Sequence, residues 1–291
     1  MTARILSLHI YPIKSCAAID LSTSSIDRAG LLGDRRWMIL TADDGQFMTQ
    51  RQWPAMARIR PALTDTHLEL QAPGQPVLRI PLDGSQLNDT VRDVVVWKDT
   101  VLAREESPDA AAWLSQALGV SCVLVKVDVQ AQRPAKADWV DRWREAHPEF
   151  AEDFAGDHVF GFADGFPLLI ANQASLDDLN ARLIAKGQSP VPMDRFRPNI
   201  VIEGEWGAFD EDVTALVSIG DVRLALVKPC TRCPMPNIDQ LTGERYEEPG
   251  RTLATYRQLE IGVVFGQNAI VSAPEGSRLN VGDEVEIELD F

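Results

Sequence analysis

Apolar and polar residues alternate with a period of two in six short runs of the first hundred residues or so: RILSLHIYPI, RRWMILT, THLELQA, VLRIPL, DVVVWKD and TVLARE. Successive side chains of a strand point to opposite faces, so this period marks strands with one buried face. The turn-forming sequences DDG, APG and KD separate the runs, and short strands at such regular spacing predict an antiparallel sheet curling into a sandwich or barrel. At Ser107-Pro108-Asp109 the pattern becomes helical: Ser107 is placed to cap DAAAWLSQAL, Pro108 suits the first turn and Gly119 stops it. CVLVKVD then reads as a strand.

Residues 131–160 follow neither period. Trp139, Trp143, Phe150 and Phe154 stand among Asp138, Asp141, Glu145, Glu149, Glu152, Asp153 and Asp157, with Pro148 breaking any continuous helix. Three readings are open for this stretch: a docking face for a partner, a lid over a channel, or an amphipathic excursion packed on the body. After PLLIA a second helix is expected, with Ser175 as its cap and Asp178 three residues on, running through LDDLNARLIAK to Gly187. NIVIEG, ALVSIGDVRLALVK, VVFGQNAIVS and VGDEVEIELD are β again, with Gly220-Asp221 and Gly282-Asp283 as turns. The predicted class is mainly β with a few helices, a β-rich α+β chain cut into two modules near 120–125.

A hydrophobic content of 45% and a charged content of 24% over 291 residues suit an ordinary globular chain and exclude wholesale disorder, collagen and coiled coil. The net charge of −15 argues against general affinity for nucleic acid or an anionic membrane. No apolar run approaches the roughly 20 residues that span a bilayer, and polar residues interrupt any signal-peptide core, so a cytoplasmic location is expected. Charge is unevenly spread: residues 1–60 carry +3, leaving −18 on the rest. A cationic amino-terminal region on an acidic chain suits a small anionic ligand.

Three features carry candidate chemistry. In VKPCTRCPMPNID, Cys230 and Cys233 form a C-x-x-C. Zinc is disfavoured because His9, His67, His147, His158, Cys16 and Cys122 provide no second pair. A helix-capping redox dithiol is disfavoured by Pro234 and Pro236. A soft thiolate on a rigid loop suits a thiophilic metal, and two inert thiols are the bland alternative. Second, Lys14, Ser15, Arg35 and Arg51 in YPIKS, GDRRW and TQRQ suit convergence on an oxyanion, or else are solubilising surface charges. Third, in RFRPNIVIEG the alternation of Arg195 and Arg197 about Phe196 places both on one face, and Pro198 projects Asn199, whose amide suits a heterocycle edge.

The ordered set YPIKS, GDRRW, RQ, ADGFPLLI, SLDDLN, FRPNIVI, IGD, KPCTRC, D-x-x-TGE, FGQN and VGD resembles the MOSC family, proteins with a molybdenum cofactor sulfurase carboxy-terminal domain. It is similar to the branch that adds an amino-terminal MOSC β-barrel and includes the mitochondrial amidoxime-reducing component and bacterial N-hydroxylated-base reductases. The resemblance spans essentially the whole chain and implies an amino-terminal β-barrel domain over 1–122 and a MOSC domain over 123–291. It implies the molybdenum cofactor (molybdopterin with Mo) as ligand, and Cys233 as both the metal ligand and the catalytic residue. Lys14, Ser15, Arg35, Arg197, Asn199 and Thr231 match family positions that hold the pterin and its phosphate. Two departures stand out: ADGFP replaces a hydroxyl-bearing D-T-S-P, leaving Gly165 and Phe166 only backbone groups, and Asn268 stands where animal members have Tyr.

The implied function is an oxidoreductase that reduces small N-hydroxylated compounds with electrons from a separate donor protein of ferredoxin, flavin or haem type. The donor is expected to be separate because the sequence stops after its last strand, without the cysteines of a fused ferredoxin. The alternatives are a carrier of sulfur or molybdenum cofactor that uses Cys233 without substrate turnover, and a thiol redox protein using Cys230 with Cys233. No nucleic-acid or membrane partner is expected.

Overall fold

The computed structural model describes residues 3–290. Its central feature is a closed seven-stranded barrel. Around it run Leu168–Asn172, Ile200–Gly204, Ala3–Ile10, Glu284–Leu289, Thr214–Ile219, Val222–Thr231 and Gly262–Ser272, and the last pairs back to the first. Closure leaves the ring without an open edge. One pairing is parallel, between Leu168–Asn172 and Ile200–Gly204, and the helix Gln173–Ala185 lies in the crossover between them. The expected β-rich class holds.

The first strand shows how the sequence makes this barrel. Ala3 and Ile5 are buried, then Leu8 and Ile10, which a strict two-residue period does not allow. A bulge at Leu6, where the pairing passes from Ile5↔Ile202 to Ser7↔Val201, resets the phase and returns the apolar residues to the interior. Inside they meet Ile170, Ile200, Ile202, Val217, Leu224 and Leu226.

A second core lies beside the barrel. Trp37–Thr41, Cys122–Val127, Asp99–Glu105 and Val91–Val96 form a four-stranded antiparallel sheet. Together with Arg60–Leu63, His67–Gln71 and Leu78–Pro81, and with the helix Pro108–Leu118, it encloses Ile39, Met56, Leu68, Ile80, Trp113 and Leu124. That helix begins and ends as expected: the Ser107 side chain accepts from the Ala110 amide, and Gly119 takes the left-handed conformation. The sheets cross the 122/123 cut in both directions. Ala3–Ile10 is a barrel strand, and Cys122–Val127 pairs with Trp37–Thr41.

Two expectations need correction. Ser175 does not cap the second helix; Asn172 does, its Oδ1 accepting from the Ala174 amide at 2.9 Å, while the Ser175 hydroxyl is taken by Glu211. Arg195 and Arg197 do not alternate along a strand. Met193–Phe196 is a turn of 3-10 helix and Arg197 follows it in the left-handed region, because Pro198 and the strand start at Ile200 force a reversal there. In the acidic aromatic stretch, Ala137–Ala146 is helical, and Trp143, Phe154 and Phe160 are buried against Leu216, Ala225 and Ile270 on the outside of the barrel.

Candidate functional site

Where the barrel meets the second sheet, a cleft with about 880 Å³ of unfilled space opens to solvent. Lys14, Ser15, Arg35, Arg51, Gly165, Arg197, Asn199, Thr231, Cys233 and Asn268, the residues the sequence proposes for ligand or metal, all line it. Arg195 and Arg232 also line it, so the wall carries six cationic side chains against a single carboxylate, Asp164, on a chain of net charge −15. Such a wall concentrates small anions.

Backbone strain gathers at the same place. Among the described residues five non-glycine residues have positive φ, and four of them, Ser15, Arg35, Trp97 and Arg197, line the cleft. Strain of this kind persists only where surrounding contacts impose it. For Arg35 those contacts are a hydrogen bond from Nη1 to Asp34 Oδ2 at 2.6 Å, one to Asn199 Oδ1 at 3.1 Å, and one from Nη2 to the Arg197 carbonyl at 3.2 Å. The guanidiniums of Arg35 and Arg197 each lie 4.2 Å from the centroid of the buried Tyr11 ring. Arg197 Nη1 donates to Gln240 Oε1 at 3.2 Å, and Gln240 and Gln50 exchange amide hydrogen bonds at 3.0 and 3.1 Å, joining the cysteine loop to the amino-terminal part.

Asn199 differs from its expected use. It is 1% exposed, and its amide is engaged internally by the Leu169 amide, Arg35 and the His9 carbonyl. It therefore acts on the cleft by bracing Arg35. Lys14 is nearly as buried; its ammonium donates to the Phe162 carbonyl at 2.9 Å and pairs with Asp164. Burial pulls the Lys14 amine below its ordinary value against the opposing effect of Asp164. Desolvation works against ionisation of Asp164, but the Lys14 charge and hydrogen bonds from Lys14 and Trp97 outweigh it and hold the carboxyl well below the usual range.

The loop bearing Asp164 and Gly165 is set by residues the sequence reading missed. Arg133, 2% exposed, donates to the carbonyls of Gly161 at 3.0 Å, Ala163 at 2.5 Å and Asp164 at 3.3 Å. Gly161 is obligatory, since a Cβ there would lie 2.6 Å from the Arg35 carbonyl oxygen. Trp97 was also missed. Its one signal in the sequence was a tryptophan at the W-K-D turn, where Gly or Asn is the usual choice.

The cysteine loop is built for rigidity. Val222–Thr231 ends opposite a bulge in Gly262–Ser272, where Gly266 has a φ of +73° and approaches the Ile170 carbonyl too closely for a side chain. Arg232 binds the Phe265 carbonyl through Nε at 2.9 Å and Nη2 at 2.6 Å, and the Phe196 carbonyl through Nη1 at 3.0 Å. Its guanidinium thus fixes the loop between the two cysteines. Cys233 is exposed and Cys230 half-buried, and both reach the cleft. Cys16 and Cys122 are buried in the second core, where burial pushes the Cys16 thiol up to about 12 and raises Cys122. Among the described residues no three His, Cys, Asp or Glu side chains are grouped to hold a metal ion. The donor set at the cleft mouth is one exposed thiol beside an anion-binding wall.

The fold and the cleft define a β-barrel protein with a cationic cleft that carries an exposed cysteine. The chain belongs to the MOSC family: residues 2–121 match the MOSC N-terminal beta barrel domain and residues 157–286 the MOSC domain. It is 33% identical to the mitochondrial amidoxime-reducing component 1 of Mus musculus over 97% of this chain and 81% of that one. Identity to the mitochondrial amidoxime reducing component 2 of Rattus norvegicus is 31%, over 95% and 80%. Similarity extends to the molybdenum cofactor sulfurase of Homo sapiens at 27% identity over 97% of this chain, which spans 32% of that protein.

Proposed function

We propose that the cleft binds the molybdenum cofactor and that the protein, fed by a separate electron-donor protein, reduces small N-hydroxylated compounds to the parent amines or amidines. The observation that carries this reading is Arg197: 8% exposed, in strained backbone, and without a carboxylate ion pair among the described residues. A guanidinium cannot discard its charge, and a buried unpaired cation is costly unless an anionic ligand completes it. The donor set fits molybdopterin. Among the described residues Arg195 Nε, buried in the same wall, has no hydrogen-bond partner, and Cys233 offers an exposed thiol that, once deprotonated, would complete a metal bringing its other ligands with it.

Under this reading Cys233 would ligate molybdenum. Lys14, Ser15, Arg35, Arg51, Arg197 and Thr231 would hold the phosphate and pterin, with Gly165 and Asn268 at the rim. When bound, the cofactor supplies the two-electron chemistry, and the protein supplies placement, charge and a thiolate. The reaction breaks the N–O bond of the substrate, and two electrons and two protons yield the parent N–H compound and water. Arg197, which lacks a carboxylate partner among the described residues, would neutralise the anionic end of the ligand, while Arg232 and Arg133 hold the two loops that line the cleft.

The test is steady-state reduction of an amidoxime by the purified holoprotein with reduced viologen as electron source, alongside Cys233→Ser. Turnover in the wild type that falls at least about a thousandfold in the variant supports the reading. Cofactor-loaded protein that reduces no N-hydroxylated compound overturns it. That outcome favours the carrier reading, which draws on the exposure of Cys233 and the similarity to the sulfurases.

A further inference from the structure

Beside the cationic cleft lies a second hollow, with about 1270 Å³ of unfilled space open to solvent. Phe47, Val95, Trp97 and Pro234 supply its apolar wall, and it shares Thr49, Arg51 and Trp97 with the cleft. Pro234 directly follows Cys233, so the hollow begins where the thiol loop turns away from the barrel. The two spaces therefore share one rim, beside the loop that carries Cys233.

Trp97 stands at this junction. It occupies the turn between Val91–Val96 and Asp99–Glu105 with a φ of +58°, a conformation strained for any bulky side chain. Three contacts hold it there. The Arg51 guanidinium lies 4.7 Å over its ring, the Phe47 ring meets it edge-on at 5.0 Å, and its indole Nε1 donates to Asp164 Oδ1 at 3.0 Å. Trp97 nevertheless remains 45% exposed, and the neighbouring Val95 is 53% exposed. A turn alone would be better served by Gly or Asn. The strain and the exposed aromatic surface at the mouth of a charged cleft are the signature of a side chain kept for a ligand.

We propose that the hollow seats the flat, apolar body of the substrate against Trp97, Phe47, Val95 and Pro234, and that Trp97 is the residue that selects aryl-substituted N-hydroxylated compounds over small ones. This rests on the reductase reading for the reaction and on the hollow itself for the binding. Arg51 is the hinge of the arrangement: its charge faces the cationic cleft while its plane stiffens Trp97.

The test pairs binding with kinetics. Benzamidoxime is titrated calorimetrically into holoprotein without any electron donor, and kcat/KM is then compared for benzamidoxime and acetamidoxime with reduced viologen present. Trp97→Gly, whose backbone tolerates the positive φ, should weaken benzamidoxime binding about tenfold and lower the benzamidoxime-to-acetamidoxime ratio about tenfold, mainly through KM. Trp97→Phe should restore most of both. Val95→Asp, at an exposed position of the strand Val91–Val96 that leads into the turn and with backbone unstrained at that position, should lower the same ratio, so the outcome does not depend on one variant folding. Aryl binding lost in the variants without any turnover in the wild type supports the hollow and overturns the reductase reading. Turnover with binding and ratio unchanged in both Trp97→Gly and Val95→Asp overturns the hollow and leaves the reductase reading intact.

Discussion

Glu211 and Arg197 are both ionisable side chains withdrawn from water, and the molecule handles them in opposite ways. Glu211 is fully buried below the helix Gln173–Ala185, where the Ser175 hydroxyl lies 2.8 Å from each carboxyl oxygen and burial pushes its carboxyl up to about 7. It can relieve the cost of burial by taking a proton. Arg197 cannot, because the guanidinium keeps its charge even where burial pulls its pKa down. It has Tyr11 and Gln240 but, among the described residues, no carboxylate in a direct ion pair, whereas Arg195, two residues earlier, has Asp239 at 2.7 Å. A buried acid that neutralises itself says nothing about ligands. A buried guanidinium without a counterion marks the place where an anion belongs.

Arg197→Met breaks this contrast most severely. It removes the charge and keeps much of the side-chain volume. Retention of the anionic cofactor should fall 100- to 1000-fold, on the order of 3–4 kcal/mol, while the cofactor-free protein unfolds at the same or a higher temperature. Cofactor content after dialysis and calorimetric melting of the cofactor-free form check the two halves.

Glu211→Gln sharpens the other side. The unfolded Glu211 releases its proton near the ordinary 4.5 and the folded one only near 7, so wild-type stability falls as pH rises through that window and stays lower above it. The glutamine variant lacks this dependence. Relative to wild type it should gain roughly 3 kcal/mol between pH 4 and pH 8, measured by urea unfolding at the two values. Gly266→Ala has a smaller effect. Its Cβ would meet the Ile170 carbonyl oxygen at 2.7 Å at a φ of +73°, which should cost about 2 kcal/mol in urea unfolding and loosen the strand that carries the thiols.

Much of the fold was legible because a strand with one buried face leaves a two-residue period, and the cap and stop of Pro108–Leu118 are local chemistry. What a period cannot reveal is which strand pairs with which. Ala3–Ile10 looks like the first strand of an amino-terminal module, yet it sits between Ile200–Gly204 and Glu284–Leu289. Ser175 misled because serine before a helical run is the usual cap signal, and only the tertiary contact with Glu211 explains its different use. At the site, motif residues far apart in sequence line one cleft, but their division of labour was not readable. Asn199 spends its amide on Arg35, and Arg232 spends its guanidinium on the Phe196 and Phe265 carbonyls. Arg133 left no signal, because its role depends on where residues 161–164 happen to pass.

The most direct test of the central claim, that this cationic cleft and its exposed thiol hold the molybdenum cofactor, is the content of molybdenum and pterin per chain. Wild type and Cys233→Ser would be purified from a host that makes the cofactor, with metal quantified by mass spectrometry and pterin by fluorescence after oxidation. The account predicts near-stoichiometric metal and pterin in the wild type and loss of the metal in the variant. Wild-type protein carrying neither, from a competent host, would contradict it.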